Sequence, residues 1–157
     1  MSQFDDCTTF ILQEEGGYSN DPRDPGGPTC LGCTISTYSH EIGKAATISQ
    51  MMALTPADVT PIYRKKYWNL INGDALAPGV DLIAFDIAVN MGVGRAMQFL
   101  VATQGYGPTA RIKALDQKRR SFWRSLKTWA VFGKGWSARE DACVALALSM
   151  NPRPVSA

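Results

Sequence analysis

Glu15 ends a segment of helical periodicity and is followed at once by Gly16-Gly17. A helix stopped by a Gly pair leaves its last side chain at the negative end of the helix dipole, where a second negative charge is disfavoured. Partial burial would act in the same direction, so the position suits a general acid. The plain alternative is a solvated glutamate at a helix end. Asp24 follows after eight intervening residues and Thr29 after four more, the first within the stretch SNDPRDPGG. Cleavage of a glycosidic bond typically uses two carboxyl groups, one as acid and the other as nucleophile or base, and a helix-end Glu facing a loop Asp meets that need. Asp21 competes with Asp24 for the second role. For both, the structural alternative is turn formation, because Asp next to Pro caps turns without doing chemistry.

A second constellation is Asp86 with Asn90, at i and i+4 and therefore on one face of an otherwise apolar helical segment, GVDLIAFDIAVNMG. Buried polar groups need partners, so this face either bonds nearby backbone or lines a cleft. Between Lys113 and Arg124 basic residues interleave with Phe122 and Trp123. Such rings stack on sugars and bases, but at helical spacing Phe122, Leu126 and Trp129 read first as core. Cys30 and Cys33 form a C-x-x-C, yet the single histidine, His40, leaves zinc short of ligands, and no βαβ pattern surrounds the motif. The four thiols therefore read as structural, and neither metal nor cofactor is expected.

The elements that must position these residues are helices punctuated by Gly and Pro. Phe4, Cys7, Ile11 and Leu12 recur at helical spacing up to Glu15. Ser19–Gly27 is a shaped loop, and Thr34–Tyr38 reads as a short strand or more loop. Thr55-Pro56-x-Asp58 announces a helix running to about Trp68. Gly79 opens the buried central helix, Gly92 and Gly94 close it, and Arg95–Ala102 begins another. A long basic helix carries Ile112, Leu115, Phe122, Leu126 and Trp129, and a last one spans Trp136–Met150 after FGKG. Strand propensity is poor throughout, so the expected fold is mainly α with at most a small β element.

The 157 residues favour one domain with a real core. Its formal net charge of +2 hides an asymmetry. Residues 1–94 hold 5 basic against 11 acidic residues, whereas residues 95–157 hold 11 against 3. A basic C-terminal region suits an anionic polymer, or else merely solvated helix faces opposite an acidic half. The longest apolar run is broken by Asp86, which excludes a bilayer span. The opening MSQFDDCTTF has acids where a signal peptide carries bases, so synthesis in the cytoplasm without a leader is expected.

The segment EEGGYSNDPRDPGGPTCLGCTISTY resembles the signature of glycoside hydrolase family 108, the N-acetylmuramidases of phage lysis cassettes and bacterial genomes. Later blocks match in order: Ile62-Tyr63-Arg64 with Tyr67-Trp68, Gly73-Asp74, GVDLIAFDIAVNMGVGRA, and RRSFWRSLKTWAVFGKGWSARE, which looks like the family's peptidoglycan-binding block. The resemblance implies a lysozyme-like fold and cleavage of the β-1,4 bond between N-acetylmuramic acid and N-acetylglucosamine, with Glu15 of EGGY as the catalytic acid. It is similar also to the Glu/Asp/Thr arrangement of phage-type lysozymes, implying catalytic roles for Asp24 and Thr29. There the Thr follows after five residues, whereas Thr29 follows here after four. Where the family shows Tyr-Gly-Ile-Thr this chain has Leu31-Gly32-Cys33-Thr34, and the stretch between Ala102 and Lys113 is short.

The resulting expectation is a single catalytic domain over 1–157, with the EGGY motif in the acidic residues 1–94 and wall affinity in the basic residues 95–157. Tyr18, Asp86 and Asn90 are expected to hold sugar. The partner is bacterial peptidoglycan rather than nucleic acid or membrane, and the chain is expected to be a monomer that reaches the wall through a holin pore. A wall-binding or secretion-assisting module without turnover is the alternative from another class. A cysteine peptidase or zinc amidase fits poorly with one histidine.

Overall fold

A computed structural model describes residues 3–151. It is mainly α, with one minimal β-hairpin. The described residues form two compact units, one of residues 8–66 and one joining residues 3–7 to residues 67–151. The change from acidic to basic composition at residue 94 falls inside a helix, Val93–Ala102.

The smaller unit takes the end of α1 (Gln3–Glu15), the strands β1 (Thr29–Cys30) and β2 (Cys33–Thr34), and the helices α2 (Ile35–Ile42), α3 (Ile48–Met52) and α4 (Pro56–Tyr63). Helix α1 buries Phe4, Cys7, Ile11 and Leu12, the stripe its periodicity marks. Of the segment from Thr34 to Tyr38 only Thr34 is in a strand; it ends β2 and caps a helix, its hydroxyl accepting from Thr37 N at 3.2 Å, and Gly43 closes that helix at φ 70°. Two local signals at the ends outweigh β-branched content between them. Helix α3, unmarked by any apolar period, rests on a capping box in which Thr47 and Gln50 exchange bonds of 2.9 and 3.1 Å. At α4 the Asp58 carboxylate accepts from both the amide and the hydroxyl of Thr55, at 2.8 and 2.6 Å. The helical path continues through a π-helical turn, Arg64–Trp68, to the residue at which the sequence pattern ends.

In the larger unit α5 (Val80–Met91) is central, with every residue from Val80 to Ala88 buried. Around it lie α6 (Val93–Ala102), α7 (Pro108–Arg124) and α8 (Trp129–Met150). Trp68 stands edge-to-face against Phe4 and Phe85, which are tilted to each other, with centroids 5.2–6.0 Å apart. Helix α8 begins at Trp129 and runs through FGKG. Gly133 lies under the Trp129 ring, where a Cβ would sit 2.8 Å from Cδ2, so packing replaces the entropy lost at a mid-helix glycine. Helix α7 stops at Arg124, which leaves Leu126 outside it. Phe122, Leu126 and Trp129 are only half-buried, and Arg119 and Trp123 occupy the core in their place. Among the described residues no helix is long and apolar enough to cross a membrane.

Candidate active site

Helix α1 stops because Gly16 turns left-handed, at φ 75°. The half-buried Glu15 is thereby the last helical side chain, as its spacing implies. The chain then makes its Pro/Gly loop and returns. Ser19 and Thr29 exchange two backbone bonds of 2.8 Å, and Leu31 N donates to Gly16 O at 3.1 Å. The return is a hairpin in which Thr29 faces Thr34 and Cys30 faces Cys33. Its two loop residues, Leu31 and Gly32, both have positive φ, 51° and 71°. That is the signature of a type I′ turn, whose twist matches the strands.

Gly32 is where this turn meets the candidate acid. A Cβ at Gly32 would lie 3.0 Å from both Cγ and Oε2 of Glu15 and would collide with the Tyr63 hydroxyl. Only glycine permits so close an approach of backbone to these two side chains. The Tyr63 hydroxyl donates to Leu31 O at 2.9 Å, holding a leucine in a conformation that costs about 1–3 kcal/mol. Tyr63 and the turn thus form a seat for Glu15. Neither stands out by residue type, and Tyr63 contacts a residue 32 positions away. The hairpin did have a signal: Thr-Cys-Leu-Gly-Cys-Thr reads the same from both ends around a Gly-containing pair.

The loop carboxylates differ from one another. Asp21 is held by Arg23, whose Nε and Nη2 donate to it at 2.9 and 2.6 Å. Those bonds keep its carboxyl below the usual range and engage both oxygens. Asp24 is exposed, with Oδ1 accepting from Gly26 N at 2.8 Å. Its backbone closes the same turn, N to Asp21 O at 2.9 Å and O from Gly27 N at 3.1 Å. Thr29 is a half-buried strand residue, and Tyr18 is half-buried between the Gly pair and the Ser19 bridge. Glu15, Tyr18, Asp24 and Thr29 therefore all belong to the smaller unit, whereas Asp86 and Asn90 belong to the larger.

Asp86 has no exposed surface. Its Oδ2 accepts from Arg119 Nη1 at 2.5 Å, and its Oδ1 accepts from Arg139 Nη2 at 2.7 Å. Asn90 is exposed and its Nδ2 donates back to Asp86 O at 2.8 Å and to Oδ1 at 3.2 Å. Glu140, also fully buried, places Oε2 2.7 Å from Arg119 Nη1 without hydrogen-bond geometry. Burial pushes its carboxyl up to about 8 against the pull of Arg119, and Asp116 raises it further. Burial thus favours the neutral form of Glu140 over the charged one.

All four cysteines are buried and none is in a disulfide. Burial raises the Cys30, Cys33 and Cys143 thiols, which removes them from nucleophilic duty. Among the described residues one grouping, Asp86, Glu140 and Cys143, has ligand atoms within 4.8 Å of one another. Two arginines on Asp86, a proton-holding Glu140 and a raised thiol make that pocket unfavourable for a cation.

Known proteins share this fold. The solved structure of Brucella abortus SagA superposes with a TM-score of 0.82 at 30% identity, covering 98% of either chain. Among curated proteins none matches. The family model glycosyl hydrolase 108 matches residues 8–92, a span that takes in Glu15, the Leu31-Gly32 hairpin, Tyr63 and most of α5. The chain belongs to the glycosyl hydrolase 108 family.

Proposed function

We propose that this glycosidase is an N-acetylmuramidase that hydrolyses the β-1,4 bond between N-acetylmuramic acid and N-acetylglucosamine in bacterial peptidoglycan, in the manner of an endolysin. The observation that carries the reading is the seat of Glu15: a helix-end carboxyl group, half-buried, against a backbone turn that only glycine can make, inside the span matching the family. Glu15 delivers its proton to the glycosidic oxygen as the bond to the anomeric carbon breaks. Positive charge develops on the sugar ring, and Asp24 stabilises it or takes the proton of the water that attacks. Thr29 orients that water, and Tyr18 lies along the bound sugar. Asp86 has no surface to offer a sugar and serves by positioning Arg119 and Arg139, with Asn90 as the exposed member of that pair. The protein works as a monomer, without a metal or organic cofactor, at the cell wall.

Digestion of purified peptidoglycan followed by mass spectrometry tests this reading. New reducing ends on N-acetylmuramic acid are expected, and Glu15→Gln is expected to abolish them with the fold intact. Full activity in that variant would overturn the assignment. Reducing ends on N-acetylglucosamine would assign the other bond, and binding to insoluble wall with no new ends at all would favour a module without turnover.

A further inference from the structure

Between α6 and α7 lies a cavity of about 570 Å³ that belongs wholly to the larger unit, whereas Glu15 belongs to the smaller. Its volume falls within the range of small-ligand sites, about 300–1,000 Å³. Phe99 comes to it from α6 and Tyr106 from the connection that follows. Helix α7 contributes Gln117, Lys118, Ser121 and Phe122, whose spacing puts them on one face. None of the six is buried: Phe99, Lys118 and Phe122 are half-buried, Gln117 and Ser121 are exposed, and Tyr106 is 55% exposed. Arg95 lies 3.8 Å over Phe122 and fixes that ring. Among the described residues the side chains of Tyr106, Gln117, Lys118 and Ser121 have no hydrogen-bond or ion-pair partner. Three accessible rings and four free polar groups therefore meet in one groove. Lys118 is the one charged side chain in its lining.

We infer that this groove is a second, non-hydrolytic glycan site, which holds N-acetylated sugars of the wall strand on the rings of Phe99, Tyr106 and Phe122. The inference rests on wall glycan being the substrate. A pyranose has an apolar C–H face and a rim of hydroxyl and acetamido groups. Aromatic rings take such a face, and amide and hydroxyl side chains, which both donate and accept, take such a rim. An anion needs a guanidinium fork or several cations, and one lysine supplies neither. Wall affinity in residues 95–157 then comes from rings and neutral donors, not from the excess of basic charge. A second grip on the same polymer keeps the enzyme on the insoluble wall between cuts, because rebinding becomes intramolecular.

The test is titration of the full-length Glu15→Gln protein with the β-1,4-linked tetramer of N-acetylglucosamine, which carries acetamido groups but neither charge nor peptide stem. The readouts are the side-chain amide resonances of Gln117 and the ring resonances of Tyr106. Saturable shifts at both are expected, with affinity lowered about three- to ten-fold in Tyr106→Ala and in Gln117→Ala. Both side chains are exposed, so neither variant puts folding at risk. Raising salt from about 0.1 M to about 1 M is expected to leave the affinity unchanged, since charge plays little part. No shift at Gln117, or an affinity that both variants leave unchanged, would overturn the site. A steep fall with salt would overturn the assignment to rings and neutral donors. Shifts produced by the free stem peptide L-Ala-γ-D-Glu-meso-diaminopimelate-D-Ala and not by the sugar would overturn the glycan. Failure of the site leaves the role of Glu15 standing, because wall digestion by the wild type reads that role separately.

Discussion

The molecule contains two sets of carboxylates in opposite settings. In the smaller unit Glu15 and Asp24 keep contact with solvent and are placed by backbone: a helix stop, a Gly-supported turn, a type I′ hairpin. In the larger unit Asp86 and Glu140 have no exposed surface and are placed by arginines. A carboxylate placed by turns stays within reach of a substrate, whereas one locked between guanidinium groups has its charge consumed in structure. The same residue type therefore predicts loss of activity in one region and loss of stability in the other.

The sharpest contrast is Glu15→Gln against Asp86→Ala. Removing the proton donor is expected to lower release of reducing ends by about 10²–10⁴-fold with the unfolding midpoint unchanged. A fall in stability together with activity would move Glu15 into the structural class. Asp86→Ala leaves Arg119 and Arg139 without their shared partner and is expected to cost about 3–5 kcal/mol in urea unfolding. A near-neutral result would break the comparison from the other side.

Glu140 sharpens it through pH. Its carboxyl titrates at about 8 in the folded chain and near 4.5 in the unfolded one. Between those values the folded state holds the proton that the unfolded state has released, so stability falls as pH rises from about 4.5 to about 8 and levels off above. Glu140→Gln cannot release that proton. The variant is expected to match the wild type near pH 4.5 and to gain on it steadily towards pH 8, in unfolding curves taken across the range. Parallel curves would show that Glu140 is not the buried acid responsible.

The turn beneath Glu15 predicts a smaller, mixed effect. Gly32→Ala strains a residue at φ 71° and drives a methyl group against Tyr63 and Glu15. A cost of about 1–3 kcal/mol is expected, with activity reduced more than stability accounts for. Activity unchanged in the folded variant would detach the turn from the site.

Legibility followed the range of the interactions. The stop of α1 at Glu15, the Thr55–Asp58 cap and the all-apolar α5 depend on neighbours within a few residues, and the sequence displays them. What it hid depends on distant partners. Phe122 and Leu126 satisfy the apolar period, yet Trp123 is in the core beside Arg119, because a buried Asp86 some thirty positions earlier draws the arginine inward. FGKG reads as a break until the Trp129 ring covers Gly133. Glu15 could be found from its own turn of helix, but its seat requires Tyr63, which no local pattern connects to it.

Asp24 is the place where the two settings nearly meet, and the smallest expected effect separates them. Its Oδ1 already accepts from Gly26 N, a structural bond that an asparagine reproduces with its own carbonyl oxygen. Asp24→Asn therefore removes the charge and keeps the turn. If the carboxylate stabilises the charge that develops on the sugar, the variant loses about ten-fold in rate, some 1.4 kcal/mol of transition-state energy, with stability unaltered. If Asp24 only closes the turn, Asp24→Asn retains its activity and Asp24→Ala, which lacks the acceptor, loses stability instead. Measuring rate and unfolding midpoint on both variants assigns the residue, since chemistry follows the charge and structure follows the oxygen.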